Sequence, residues 1–107
     1  MRILAGDDLG VARDDNHLVV ETEEPRIVFS YCRKGDAISM HFACDRENLR
    51  HVKWGINHFC EWAFYAHDWC KMIFGQISLP SVERIVQHCG FEKILEVENG
   101  NIYMRLR

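Results

Sequence analysis

The spacing of the apolar residues changes once, at Asp45, and that change constrains the fold more than any other feature of the chain. Before it, RIVFSYC (26–32) and AISMHFAC (37–44) alternate as half-buried strands do, with Arg33-Lys34-Gly35-Asp36 as a hairpin turn between them. In the first strand Val28, Ser30 and Cys32 share one face, and Ile27, Phe29 and Tyr31 share the other. After Asp45, the residues Leu49, Val52, Ile56, Phe59, Cys60, Ala63 and Ala66 recur at helical spacing. They predict one long helix from Arg46 to about Asp68, with Asp45 as its N-cap. KMIFGQI (71–77) then returns to strand. A strand, a long helix and a strand in succession make a crossover, which places two parallel neighbours in one sheet with the helix across one face.

The remaining elements build outward from this unit. HLVVET (17–22) alternates weakly and ends at the turn Glu23-Glu24-Pro25. Residues 1–16 carry Asp7, Asp8, Asp14 and Asp15 without a sustained period and are expected to form a loosely ordered arm. In PSVERIVQHCGFEKI, Pro80 suits a first helical residue, and Val82, Ile85, Val86 and Cys89 follow at helical spacing. Gly90 supplies the left-handed residue that closes a helix. FEKILEV, the turn Glu98-Asn99-Gly100-Asn101 and IYMRL make a closing hairpin. The expected order is β-β-β-α-β-α-β-β: an α+β (mixed α/β) domain spanning 1–107, with one mixed sheet and two helices.

Composition excludes several classes of function. The 107 residues suit one domain, and 13 Lys+Arg against 16 Asp+Glu gives no general attraction for nucleic acid. Charges interrupt every apolar stretch before the ~18 residues that a membrane helix needs. The opening MRILAGDDLG lacks the apolar core of a secretory signal, so a cytoplasmic location is expected. The five cysteines (32, 44, 60, 70 and 89) are odd in number and form no CxxC pair, so they read as buried free thiols.

Three sets of residues are candidates for chemistry or contact. His41, Glu61 and His67 are candidates for acid–base work, with His41 otherwise a polar residue of its strand. Arg46, Arg50 and Lys53 surround the start of the long helix and are candidates for holding an anion there, or simply make a solvated face. His41-x2-Cys44 and His67-x2-Cys70 have zinc-ligand chemistry, but residues three apart on a strand point to opposite faces, and no metal is expected. Trp54, His58, Trp62 and Tyr65 form a second row on the long helix, with Trp69 nearby. Such a row belongs either to the core or to an interface. Since the first stripe already serves the sheet, Trp54, Trp62, Tyr65 and Trp69 are read as a surface for a protein partner or a second copy, or for cover by the N-terminal arm.

The element order, the Gly90-Phe91 junction and the final hairpin resemble the C-terminal two-thirds of the GCN5-related N-acetyltransferase (GNAT) fold, over roughly residues 17–107. The opening MRILAGDDLGVAR is similar to the start of small phage-encoded members of that superfamily. The family's first strand and two helices would be largely missing between that opening and the first strand here. The resemblance implies a V-shaped gap between strands 37–44 and 71–77, where the family holds acetyl-CoA. The family's pyrophosphate loop reads Arg/Gln-x-x-Gly-x-Gly/Ala, whereas DRENLRHVKWG has Leu49 three residues after Arg46 and Lys53 three after Arg50. The family's general-acid Tyr falls on Val86, and its cofactor-contacting Asn falls at about Leu79. The resemblance therefore implies a catalytically degenerate acetyltransferase-like phage protein without cofactor. It would act by protein–protein contact in head or virion assembly or on a host protein, in the host cytoplasm or the virion. The alternative is an active acetyl-CoA-dependent N-acetyltransferase with a divergent cofactor loop.

Overall fold

The alternating segments on either side of Gly35 form the centre of the sheet. In a computed structural model that describes residues 1–4, 6–11 and 14–107, β3 (Ile27–Lys34) and β4 (Ala37–Cys44) pair antiparallel along their whole length. β2 (Leu18–Glu21) pairs with the other edge of β3, and β1 (Arg2–Ile3) with β2. On the far side β5 (Met72–Ile77) lies parallel to β4 and is followed in space by β7 (Gly100–Leu106) and β6 (Glu92–Val97). The seven-stranded mixed sheet thus has the order β1-β2-β3-β4-β5-β7-β6. β4 and β5 are the expected parallel neighbours, joined by the expected crossover.

The long helix comes in two parts, which corrects the single span from 46 to 68. Residues Arg46–His51 form a 3₁₀ helix, and α1 runs from Val52 to Ala66. A 3₁₀ turn holds three residues where an α turn holds 3.6. Leu49 is thereby rotated off the stripe and is 55% exposed, while Val52, Ile56, Phe59, Cys60 and Ala63 are buried. Asp45 precedes the 3₁₀ helix but makes no side-chain cap bond.

Packing fixes α1 to β3. Phe59 stacks on Phe29 with ring centroids 4.6 Å apart, and Tyr31 meets Phe59 edge-on at 5.5 Å. One turn earlier Gly55 has no room for a side chain, because a Cβ there would collide with Cδ1 of Ile27. α2 (Pro80–His88) buries Val86 in the same core, with Cys89 and Phe91 beside it. Its end is the Schellman arrangement expected of Gly90: φ is +84°, Phe91 N–H donates to Val86 O at 3.0 Å, and Gly90 N–H donates to Gln87 O at 3.3 Å.

The opposite face carries a smaller cluster of Leu4, Val19 and Val28, against which Leu9 and Val11 of the arm pack. The segment read as a loosely ordered arm thus contributes β1 and these apolar contacts. Glu21, only 1% exposed, anchors β1 by accepting from Arg2 at 2.7 Å and from Arg26 at 3.2 Å. All five cysteines are free; four are buried and Cys44 is half-buried. Burial pushes the Cys60 thiol up to about 12.

Two outcomes follow for solution experiments. Gly55→Ala is expected to cost about 1–3 kcal/mol, the usual penalty of overpacking, read as a lower urea midpoint at unchanged slope. A thiol reagent under native conditions is expected to label Cys44 first, and rapid labelling of Cys60 would contradict the packing described.

Candidate functional site

The parallel ladder between β4 and β5 is short. It joins Ala37 to Met72, Ile38 to Ile73 and Ser39 to Phe74, and then the strands part. β4 continues to Cys44 on β3, and β5 continues to Ile77 on β7. The fork holds a cleft of about 190 Å³ lined by Met40, Phe42, Ile77, Leu79 and Val82, with His41, Gln76 and Ser78 as its polar residues. Gly75 sits where the strands divide; a Cβ there would stand 3.2 Å from the Met40 carbonyl oxygen. This is the V-shaped gap expected between 37–44 and 71–77.

His41 is exposed and shares the face of its ladder partner Ser30, away from α1. Its ring lies 6.2 Å from that of His17, whose Nδ1 is 2.8 Å from an Asp14 carboxylate oxygen. The hydrogen bond with His17 holds the Asp14 carboxyl below its ordinary value. On the other side of His41, a second hollow is lined by Leu9, Gly10 and Val11 of the arm.

The start of the long helix does not fit a pyrophosphate. Arg46, Arg50 and Lys53 are all exposed, and Arg50 Nε donates to its neighbour His51 at 3.1 Å. A phosphate cradle needs bare backbone N–H groups, which a glycine-rich loop presents. Here no glycine opens the turn, and two of its amides are paired within it: Asn48 N–H donates to Asp45 O at 2.9 Å and Val52 N–H to Leu49 O. The carboxylates of Asp45 and Glu47 stand at the same turn. Val86, where the resemblance would put a general acid, is 1% exposed in the core, and Leu79 is 61% exposed at the cleft. Tyr103 is buried on β7, and its hydroxyl donates to Glu83 at 2.6 Å, a bond that raises its pKa.

The other candidates are not brought together. Glu61 is exposed on α1. His67 follows α1 at its C-cap and is half-buried among aromatic rings on the α1 side of the sheet, the opposite face from His41. The Tyr31 hydroxyl lies 2.9 Å from His67 Nε2, with Trp62 and Trp69 centroids at 5.8 and 5.1 Å. The Arg33 guanidinium lies 4.0 Å over the Trp69 ring. Burial, with Arg33 adding to it, lowers the His67 pKa. The aromatic row is thereby divided. Trp62 and Trp69 are half-buried and pack on the main core, Trp54 is 44% exposed and stacks on His58 at 5.0 Å, and Tyr65 is 89% exposed. Among the described residues no three His, Cys, Asp or Glu side chains gather to hold a metal ion.

Gln76, Ser78, Leu79 and Val82 are the site residues that periodicity misses. They reach the cleft through the register of β5 and the placement of α2, and Gly75 inside an apolar strand was the local signal of a close backbone approach.

No protein-family model matches the chain, and no curated protein matches its sequence. Solved structures do match. A variant of the spermidine N-acetyltransferase SpeG from Vibrio cholerae superposes with a TM-score of 0.70 at 13% identity, over 87% of this chain and 67% of that one. The N-acetyltransferase PseH from Campylobacter jejuni gives 0.70 at 13%, over 88% and 70%. The ribosomal-protein-S18-alanine N-acetyltransferase from Escherichia coli gives 0.66 at 9%, over 88% and 71%. At such identities the likeness shows the fold, and the GNAT-like mixed sheet is the one expected from the sequence.

The His67 cluster makes a pH expectation with a definite sign. A histidine whose folded pKa lies below the ordinary 6.5 binds its proton more weakly in the fold than in the unfolded chain. Its contribution is complete above about pH 6.5 and is lost as the pH falls through the folded value. Urea unfolding between pH 7 and pH 5 is expected to show a steeper acid loss for wild type than for His67→Gln, and equal slopes would refute the assignment.

Proposed function

We propose that this chain is an acetyltransferase-fold protein that works by protein contact, in virion assembly or on a host protein, rather than by acyl transfer. The observation that carries the reading is the start of the long helix. No glycine-rich loop stands there, the Asn48 and Val52 amides are paired inside a 3₁₀ turn, and Asp45 and Glu47 place negative charge there. Two further observations support it: Val86 brings no hydroxyl to the general-acid position, and Trp54 and Tyr65 present exposed aromatic surface suited to a protein partner. The phage setting and a location in the host cytoplasm rest on the opening residues MRILAGDDLGVAR.

The fork favours a second reading, an acetyl-CoA-dependent N-acetyltransferase with a divergent loop. Among the residues lining the cleft His41 carries the one imidazole, and in this reading it is the general base toward an amine.

Thermal unfolding with acetyl-CoA separates the two. A ligand at a hundredfold its dissociation constant adds about 2.7 kcal/mol of stability. The contact reading expects no change in Tm at millimolar acetyl-CoA. A saturable rise, with amine acetylation that His41→Ala abolishes, would establish the enzyme instead.

A further inference from the structure

Beyond Ser39 the edge of β4 that faces β5 has no strand beside it among the described residues, although β4 runs on to Cys44. Its other edge stays paired with β3 throughout. Along a strand the backbone groups of one edge recur every second residue. The Met40 carbonyl sets the phase, because it is directed at Gly75 across the point of the fork. The N–H and C=O of Phe42, two residues on, therefore face into the cleft. They are hydrogen-bonding groups beside the apolar side chains of Ile77, Leu79 and Val82.

We infer that an extended segment of a partner protein adds to this edge of β4 as a strand, pairing with Phe42 and lodging one apolar side chain in the cleft. The inference rests on the contact reading above and names its surface. Three features define the occupant. A free strand edge is satisfied by extended backbone, which a helix cannot offer because its amides and carbonyls are already paired internally. The cleft, at about 190 Å³, exceeds the ~150 Å³ of an apolar cavity that takes a benzene ring, so one large apolar side chain fits. Its polar residues His41, Gln76 and Ser78 include no carboxylate or ammonium, so the segment is uncharged at its centre. A second copy of this chain is a poor donor: β1 has two residues, and the outer strand β6 is broken by an irregularity at Lys93/Leu95 and carries Glu92, Lys93 and Glu96. These are the devices that keep a strand edge from pairing.

A random library of short peptides, selected on the full chain, supplies the probe. Enriched peptides are expected to share an apolar central residue. N-methylation of each peptide amide in turn should weaken binding at alternate positions, and binding should slow hydrogen exchange of the Phe42 amide. Leu79→Arg, at an exposed position, should lower affinity at least tenfold, a loss of about 1.4 kcal/mol, without changing Tm. Failure of the library to enrich any binder, N-methylation effects without a two-residue period, or protection confined to β6 would each overturn the inference. The contact reading fails separately: a saturable acetyl-CoA shift refutes that reading, whereas peptide results refute or support the strand addition alone.

Discussion

Three residue pairs hold β4 to β5, and the rest of the molecule is organised by where that ladder stops. Parallel strands cannot be joined by a tight turn, so α1 must cross the sheet between them. Gly55 lets the helix backbone settle on Ile27, and Phe59 then stacks on Phe29. The two strands answer to different neighbours. β4 is bound to β3 over eight pairs and β5 to β7 over six, so each follows the twist of its own antiparallel partner once the three parallel pairs end. The cleft is the space left by that divergence.

Most of this was legible in the residues because it depends on period. The strands around Gly35, the crossover, the helix closed by Gly90 and the final hairpin each carry a local signal, and each lies where that signal puts it. Elements whose cause is tertiary were not legible. β1 is two residues held by the pairing of Arg2 with a buried Glu21, and nothing in MRIL marks a strand. Leu49 continues the helical spacing on paper, but the 3₁₀ geometry of Arg46–His51 turns it to solvent. The aromatic row divided for a similar reason: Tyr31 and Arg33, from a strand distant in sequence, draw Trp62 and Trp69 toward the sheet and leave Trp54 and Tyr65 outside.

The site was legible in its parts and not in its assembly. His41 could be named from the sequence, but its companions in the cleft come from β5 and the start of α2, more than thirty residues away. Conversely, Glu61 and His67 had suitable chemistry, and the sheet itself separates His41 from His67. The departures from the family pattern were visible as letters. Their physical form needed the backbone, since Leu49 lies in a 3₁₀ turn that pairs the Asn48 and Val52 amides with the chain's own carbonyls.

A fork made by strand pairing does not need a cofactor to keep it open. The three-pair ladder and the Gly75 approach do not involve the start of α1, although the Cys89 thiol at the end of α2 donates to Lys53 O there at 3.6 Å. The turn after Asp45 and the cleft are nevertheless built from different residues: none of the residues lining the cleft lies between Asp45 and Lys53, and beyond Ser39 the β4 edge has no strand beside it among the described residues. Such an edge is costly to leave unpaired beside apolar side chains, because hydrogen-bonding groups gain little from water that the neighbouring surface excludes. The cleft has apolar walls and, among the described residues, a β4 edge with no strand beside it beyond Ser39; the proposed occupant, an extended and uncharged segment, suits both.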